Sequence, residues 1–271
     1  MQNIKNIKIF YNENEKSMSV LNTLRQKLIN SGFKIVDEGQ DLSIAIGGDG
    51  SFIRMLKATD YSSQMLYVGI NAGTLGFLQE VATDEIDLLI KNIKEETYSV
   101  TKTGIQNTQI ISEGKEHSFN SFNEIIIRRK DLNLMKLNLQ IAGAQVERFM
   151  GDALLISTSV GSTAHNLSYG GAIIHDSLHA LQIVPIGVFN STVNHSLKNP
   201  LIVPETDLIE IEPLEQNTDL LVIVDGVNYE FKNVSQIATK VCNKKINRLR
   251  LNNCSFFKKI NSKFIDNKTQ K

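Results

Sequence analysis

The sequence predicts an α/β domain followed by an antiparallel β domain. Two observations carry this. Over the first hundred residues apolar runs alternate between strand and helix spacing, and two of the strands open directly into glycine turns. Beyond about residue 99 the runs become short and alternating, punctuated by turn residues at close intervals, which is the pattern of antiparallel strands.

Taken in order, Ile7 and Ile9 mark a first strand that ends at the polar cluster Asn12 to Glu15. Val20, Leu21, Leu24 and Leu28 recur at helical spacing, with Gly32 placed as the stop. A short strand follows at 33–36, and a third at 41–46 feeds Gly47-Gly48-Asp49-Gly50. Residues 51–57 read as a helix, with Phe52, Ile53, Met55 and Leu56 available to pack on the sheet. The strand 65–70 opens into the turn Asn71-Ala72-Gly73-Thr74-Leu75-Gly76-Phe77, and the helix 84–96 carries Ile86, Leu89, Ile90 and Ile93 on one face. Alternation of this kind implies a mostly parallel, Rossmann-like sheet covered by helices. In the second half, Leu137, Leu139 and Ile141 precede the turn Ala142-Gly143-Ala144. Further runs at 208–211, 221–224 and 246–251 complete the antiparallel reading. No linker rich in Pro, Gly or Ser separates the halves, and no repeat is visible. The expected division is therefore 1–99, 100–250 and a basic C-terminal tail, 251–271, that packs back on the first domain. A cleft between the halves is the default ligand site.

Composition narrows the function classes. Lys plus Arg equals Asp plus Glu, 29 against 29, so no global field recruits nucleic acid or an acidic membrane. An anionic ligand must then be held by local geometry. Cys242 and Cys254 fit neither a metal spacing nor a disulfide framework, consistent with a reducing compartment. The alternating N-terminus has no apolar core of the signal-peptide kind, and no run approaches a membrane span, so the expectation is a soluble, cytoplasmic chain.

Four stretches could carry chemistry. Gly47-Gly48-Asp49-Gly50 lies where a strand delivers the chain into a helix, the place where open α/β sheets bind ligands. Glycines there admit a phosphate close to the backbone, and helix-start amides supply partial positive charge. A carboxylate in such a turn makes chemical sense if Asp49 accepts the proton of an acceptor hydroxyl; the plainer reading is a helix cap. Gly161-Ser162-Thr163-Ala164, continuing through His165, Asn166 and Ser168 to Gly170-Gly171, presents many donors with little bulk, for phosphates or a purine edge. It reads equally as a polar loop. Asn123-Glu124, before the run Ile125 to Ile127, could hold vicinal ribose hydroxyls or simply start an exposed strand. Gly151-Asp152 and Asp225-Gly226 each place a carboxylate in a β-turn setting, and the second is also a strong hairpin signal.

In combination these motifs, together with GINAGTLGFL from Gly69 and FNE from Phe122, occur in one fixed order from about Ile44 to Asp225. The series resembles the ATP-NAD kinase family. That resemblance implies an α/β plus β fold and transfer of the ATP γ-phosphoryl group to the adenosine ribose 2′-hydroxyl of NAD. It also implies a divalent cation such as Mg²⁺ arriving with ATP, and a homo-dimer or homo-tetramer. It makes Asp49 the general base, assisting by about 10²–10⁴-fold. Gly47, Gly48, Gly161 and Ser162 become phosphate-binding. Gly50, Phe77, Asn123, Glu124, Asp152, Thr163, Ala164, His165, Asn166, Ser168, Gly187 and Asp225 become substrate-binding.

Three departures stand out. His165 replaces the family's Tyr and adds an imidazole that titrates near neutrality. Met150 replaces an Arg, and Ala153 the last Gly of the GDG motif. The Pro before GSTA becomes Val160 or Ser159. Competing readings are a lipid kinase sharing the GGDG turn, a non-catalytic dinucleotide sensor, and a zinc site at His175 and His179, whose spacing is that of a metallohydrolase helix.

Overall fold

A computed structural model of the chain describes residues 3–73, 76–131, 133–193, 195–251 and 255–266. Thr74, Leu75, Cys254 and the end of the tail, singled out above, lie outside the described residues. The chain divides into two compact units, one formed by residues 1–103 with 244–271 and one by residues 104–243.

The first unit opens with β1 (Asn6–Phe10), α1 (Glu15–Asn30), β2 (Lys34–Ile35) and β3 (Leu42–Gly47). Next come α2 (Asp49–Ala58), β4 (Leu66–Asn71), β5 (Val81–Ala82) and α3 (Ile86–Lys94). β3 lies between β1 and β4, β2 flanks β1, β5 flanks β4, and all pair in parallel. The predicted parallel sheet is present. α1 begins where Asn14 Oδ1 accepts the Ser17 N–H at 2.9 Å, and just beyond its end Gly32 adopts φ +89°. Leu21, Leu24 and Leu28 of α1 and Leu89, Ile90 and Ile93 of α3 are buried in one core with Ile44, Ile46, Val68 and Ile70 of the sheet. Both faces of β3 are buried, with Leu42, Ile44 and Ile46 on one and the smaller Ser43 and Ala45 on the other.

β6 (Ser99–Ser112) carries the chain into the second unit. There follow β7 (Lys115–Ser121), β8 (Glu124–Arg129), β9 (Met135–Ile141), β10 (Ala144–Gly151) and β11 (Ala153–Thr158). A 3₁₀ turn (Val160–Thr163) and the short α4 (His165–Ser168) lead to β12 (Ala180–Ile186), β13 (Leu201–Pro204), β14 (Ile209–Pro213), β15 (Leu220–Val224) and β16 (Val227–Phe231). One antiparallel sheet runs β13-β12-β11-β8-β15-β16. In a second sheet β10, β9, β14 and the start of β17 (Val234–Arg250) pair antiparallel in that order. Both sheets contribute to one core, with Ile125, Leu154 and Val222 from the first and Leu137, Phe149 and Ile211 from the second.

Near its far end β17 pairs parallel to β4, with Asn247 opposite Leu66 and Arg248 opposite Tyr67. The run 246–251, grouped by its alternation with the antiparallel half, therefore belongs to the parallel sheet of the first unit. Alternation reports which face is wet, not which partner strand is met. Last comes α5 (Phe256–Ile260), extended by a π-helical turn, Asn261–Ile265. No helix among the described residues is long and apolar enough to cross a membrane.

Candidate active site

In the first unit β3 ends at Gly47, whose φ of +143° suits glycine, and Gly48 forms the N-cap of α2 in an extended conformation. A Cβ at Gly47 would meet Ser51 Oγ at 2.3 Å, so the turn is closed to any larger residue. Asp49 is the first residue of α2 and only partly exposed. Its Oδ2 accepts the Phe77 N–H at 3.0 Å and its Oδ1 the Leu78 N–H at 2.9 Å. The expectation gave this carboxylate an acceptor hydroxyl to deprotonate or a helix to cap. The structure fixes both oxygens on the second glycine turn, with one lone-pair direction left on each. Gly76 makes the approach possible, because a Cβ there would lie 2.1 Å from Asp49 Oδ1. Gln79 closes the arrangement by donating to the Gly48 carbonyl at 2.7 Å. Arg54 binds Asn12 and, at 3.1 Å, Ser51 Oγ, which places a guanidinium one helical turn from Gly50.

In the second unit the start of β8 is held from two directions. Asp225 and Gly226 form the hairpin tip between β15 and β16, at φ +45° and +78°, as a two-residue turn of this twist requires. Asp225 Oδ2 accepts the Phe122 N–H at 2.8 Å, and Oδ1 accepts those of Asn123 and Glu124 at 2.8 and 3.2 Å. On the other side the Asn123 carbonyl accepts the Thr158 N–H at 2.9 Å, and Thr158 Oγ1 donates to the Phe122 carbonyl at 2.7 Å. Gly161 packs so closely that a Cβ there would lie 2.0 Å from the Asn123 carbonyl oxygen.

This framework buries the Glu124 side chain, 3% exposed, with Oε1 against His165 Nδ1 at 3.0 Å. Burial pushes the Glu124 carboxyl above its ordinary range, and pairing with His165 pulls it part of the way back. His165 is raised in turn, chiefly by its bond to Glu124. Glu124 Oε2 is buried with no hydrogen-bond partner among the described residues.

Family models for the ATP-NAD kinase N-terminal and C-terminal domains match residues 4–98 and 122–251. The chain belongs to the ATP-NAD kinase family. It is 32% identical to an NAD kinase of Finegoldia magna, over 97% of this chain and 99% of that protein. An NAD kinase of Streptococcus pneumoniae is 33% identical over 96% of each chain. Two solved structures share the fold at lower identity. Yeast NADH kinase complexed with NADH superposes with a TM-score of 0.82 at 17% identity, over 96% of this chain and 87% of that one. An NAD kinase from Archaeoglobus fulgidus in complex with ATP gives 0.75 at 19%, over 95% and 99%.

Within this family fold the expected residues do not all converge. Asn123, Glu124 and Asp225 meet at one end of the six-stranded sheet, beside Ser157 and Thr158, and His165 reaches them from α4. Asp152 stands at the opposite end of β11, about 17 Å of strand away from Ser157. It occupies the corner where the chain leaves one sheet for the other rather than a hairpin turn, since β10 pairs with β9 and β11 with β8 and β12. Gly187 sits against it, with a Cβ position 2.0 Å from Asp152 Oδ2.

Several donors of the Gly161 segment are spent internally. Ser162 Oγ bonds Ser159 and Ile174, Thr163 Oγ1 lies 3.4 Å from the Val160 carbonyl, and buried Asn166 donates to Ser162 and Ala172. Ala164 and exposed Ser168 remain along the loop. Phe77 is 7% exposed, its ring covered by Phe256 and Phe264, so the expected apolar wall is already filled from the tail. Ala153, replacing the family's Gly, packs its methyl with Ile126, Leu155 and Val184. Met150 bonds through its N–H to Ser196 Oγ at 3.0 Å.

His175 and His179 lie on no helix. The first bonds Ser177 and the second faces Glu205 Oε1 at 3.2 Å, and no group of three or more metal-binding side chains occurs among the described residues. Sequence reasoning missed Gln79, Thr158 and Lys259. Gln79 sits beside Glu80 and Thr158 between two serines, where nothing singles either out, and Lys259 is one of several lysines in a basic tail.

Proposed function

We propose that this member of the ATP-NAD kinase family transfers the γ-phosphoryl group of ATP to the 2′-hydroxyl of the adenosine ribose of NAD, giving NADP. The observation that carries the reading is the Asp49 carboxylate, fixed at the N-terminus of α2 by the Phe77 and Leu78 amides. A lone pair of that carboxylate accepts the hydroxyl proton as the oxygen bonds to phosphorus, and ADP leaves with the bridging oxygen. Positioning and charge neutralisation supply most of the acceleration in phosphoryl transfer, and the α2 N-terminus with its glycines offers amide donors to the transferring group.

The donor is metal-chelated ATP. Around the turn Asp49 is the carboxylate available, which suits a Mg²⁺ ion coordinated mainly by phosphate oxygens. Glu124 and Asn123 hold hydroxyls or base edges of the dinucleotide, and their alignment by Asp225 beside His165 supports this. Thr163, Ala164 and His165 line the adenine side. A cytoplasmic homo-oligomer is part of the same reading, which sedimentation at working concentration tests.

The deciding experiment incubates the protein with ATP, Mg²⁺ and NAD and follows NADP. Formation of NADP, abolished without divalent metal, is expected. Binding of NAD with no NADP formed overturns the reading in favour of a sensor.

A further inference from the structure

Lys259 of α5 is 6% exposed, and its ammonium group points into the second glycine turn of the first unit. Its Nζ donates to the Phe77 carbonyl at 3.1 Å and to the Gln79 carbonyl at 2.7 Å. The N–H groups of the same stretch, at Phe77 and Leu78, hold the two oxygens of Asp49. One face of a three-residue segment thus grips the carboxylate while the other is gripped by the lysine. Glu80 balances the buried charge. Its Oε2 lies 3.5 Å from Lys259 Nζ and 3.1 Å from Arg250 Nε, and its Oε1 accepts the Leu251 N–H at 3.0 Å. Around this polar knot the tail adds rings, with Phe264 stacked on Phe77 at 5.4 Å and Phe256 tilted against it at 6.1 Å.

A buried ammonium group with two carbonyls as ligands fixes them far better than exposed contacts do, because its alternative is an uncompensated charge. The tail could have been attached through apolar contacts alone, yet Lys259, its buried cation among the described residues, is spent on this particular backbone.

We infer that Lys259 is a positioning residue for phosphoryl transfer, setting through the 77–79 backbone the orientation of the Asp49 carboxylate. This deepens the functional reading above and rests on it. Since a misplacement of about 1 Å at a reacting group can cost 10²-fold, the effect falls on turnover rather than on substrate affinity.

The test uses the full chain, with NADP formation by the parent measured first. If the parent makes no NADP, the functional reading fails by itself. Amide exchange still judges the mechanical link. K259M is expected to lower kcat at least about tenfold, with KM for NAD and for ATP within about twofold of the parent. The Phe77 and Leu78 amides should exchange with solvent at least about tenfold faster. Assays run below the melting temperature of each variant. K259Q leaves Glu80 paired with Arg250, keeps one polar group in place of the ammonium and keeps the protein assayable should K259M fail to fold. It is expected to recover melting temperature but not kcat. Parental kcat in either variant, or unchanged amide exchange at Phe77 and Leu78, overturns the inference and leaves Lys259 as a strap for the tail.

Discussion

Asp225 Oδ1 accepts the backbone N–H of Asn123 at 2.8 Å, so the tip of one hairpin fixes the start of a strand a hundred residues earlier in the chain. Through the same carboxylate the Phe122 and Glu124 amides are held, and Glu124 is left with one oxygen on His165 and one unpartnered. The hairpin reading and the site reading of Asp225 are thus both served by one residue, which acts on a ligand through the backbone it aligns.

D225N is therefore expected to destabilise the fold and loosen the site together. Asn tolerates the positive φ at this position, so the loss isolates the charge-assisted bonds to three amides. A stability decrease of about 1–3 kcal/mol, read as a lower denaturant midpoint with unchanged slope, should accompany a higher KM for NAD.

D49N separates binding from chemistry. The amide keeps the shape of the carboxylate and one acceptor oxygen for the Phe77–Leu78 backbone, but cannot take a proton at neutral pH. NAD affinity by calorimetry should stay near the parental value while kcat falls at least about a hundredfold. Near-normal turnover would remove Asp49 from the base role.

G161A probes the packing of the loop on Asn123. The added methyl would stand 2.0 Å from a backbone carbonyl that is itself bonded to Thr158, so neither neighbour can yield cheaply. A loss of about 1–3 kcal/mol or more follows, measured by chemical denaturation. Parental stability would show that the loop moves freely, against the bonds described.

The Glu124–His165 pair makes stability depend on pH with a definite sign. His165 is raised above its unfolded value by its partner, so its contribution is complete below the unfolded histidine range and lost as pH rises through the folded value. Glu124 is raised by burial, so ionising it also favours the unfolded chain as pH rises. The melting-temperature advantage of the parent over H165Q should shrink between about pH 6 and pH 8.5. A difference that stays constant, or grows, would contradict the pairing.

Much of the first unit was legible because strands of a parallel sheet are local, mostly apolar runs, and Leu42–Gly47 and Leu66–Asn71 both lead into glycine-bearing turns. The long strand Ser99–Ser112 escaped notice since polar Thr, Gln and Asn residues interrupt it on both faces. Pairing partners were less visible still. Whether 246–251 joins β4 or an antiparallel neighbour depends on loop closure across some 180 residues, on which periodicity is silent. At the site, Asp49 and Glu124 announced themselves by their glycine and asparagine neighbours. The uses found for Ser162 and Asn166 did not, because a hydroxyl bonded inside its own loop has the same spelling as one offered to a phosphate.

The first unit is assembled from both ends of the chain, with residues 244–271 joining 1–103. On the ribosome, residues 104–243 emerge as an uninterrupted piece and can settle while the earlier segment still waits for its closing strand and for Lys259. The parallel sheet begun by β1 to β5 is thus complete only once β17 has been made.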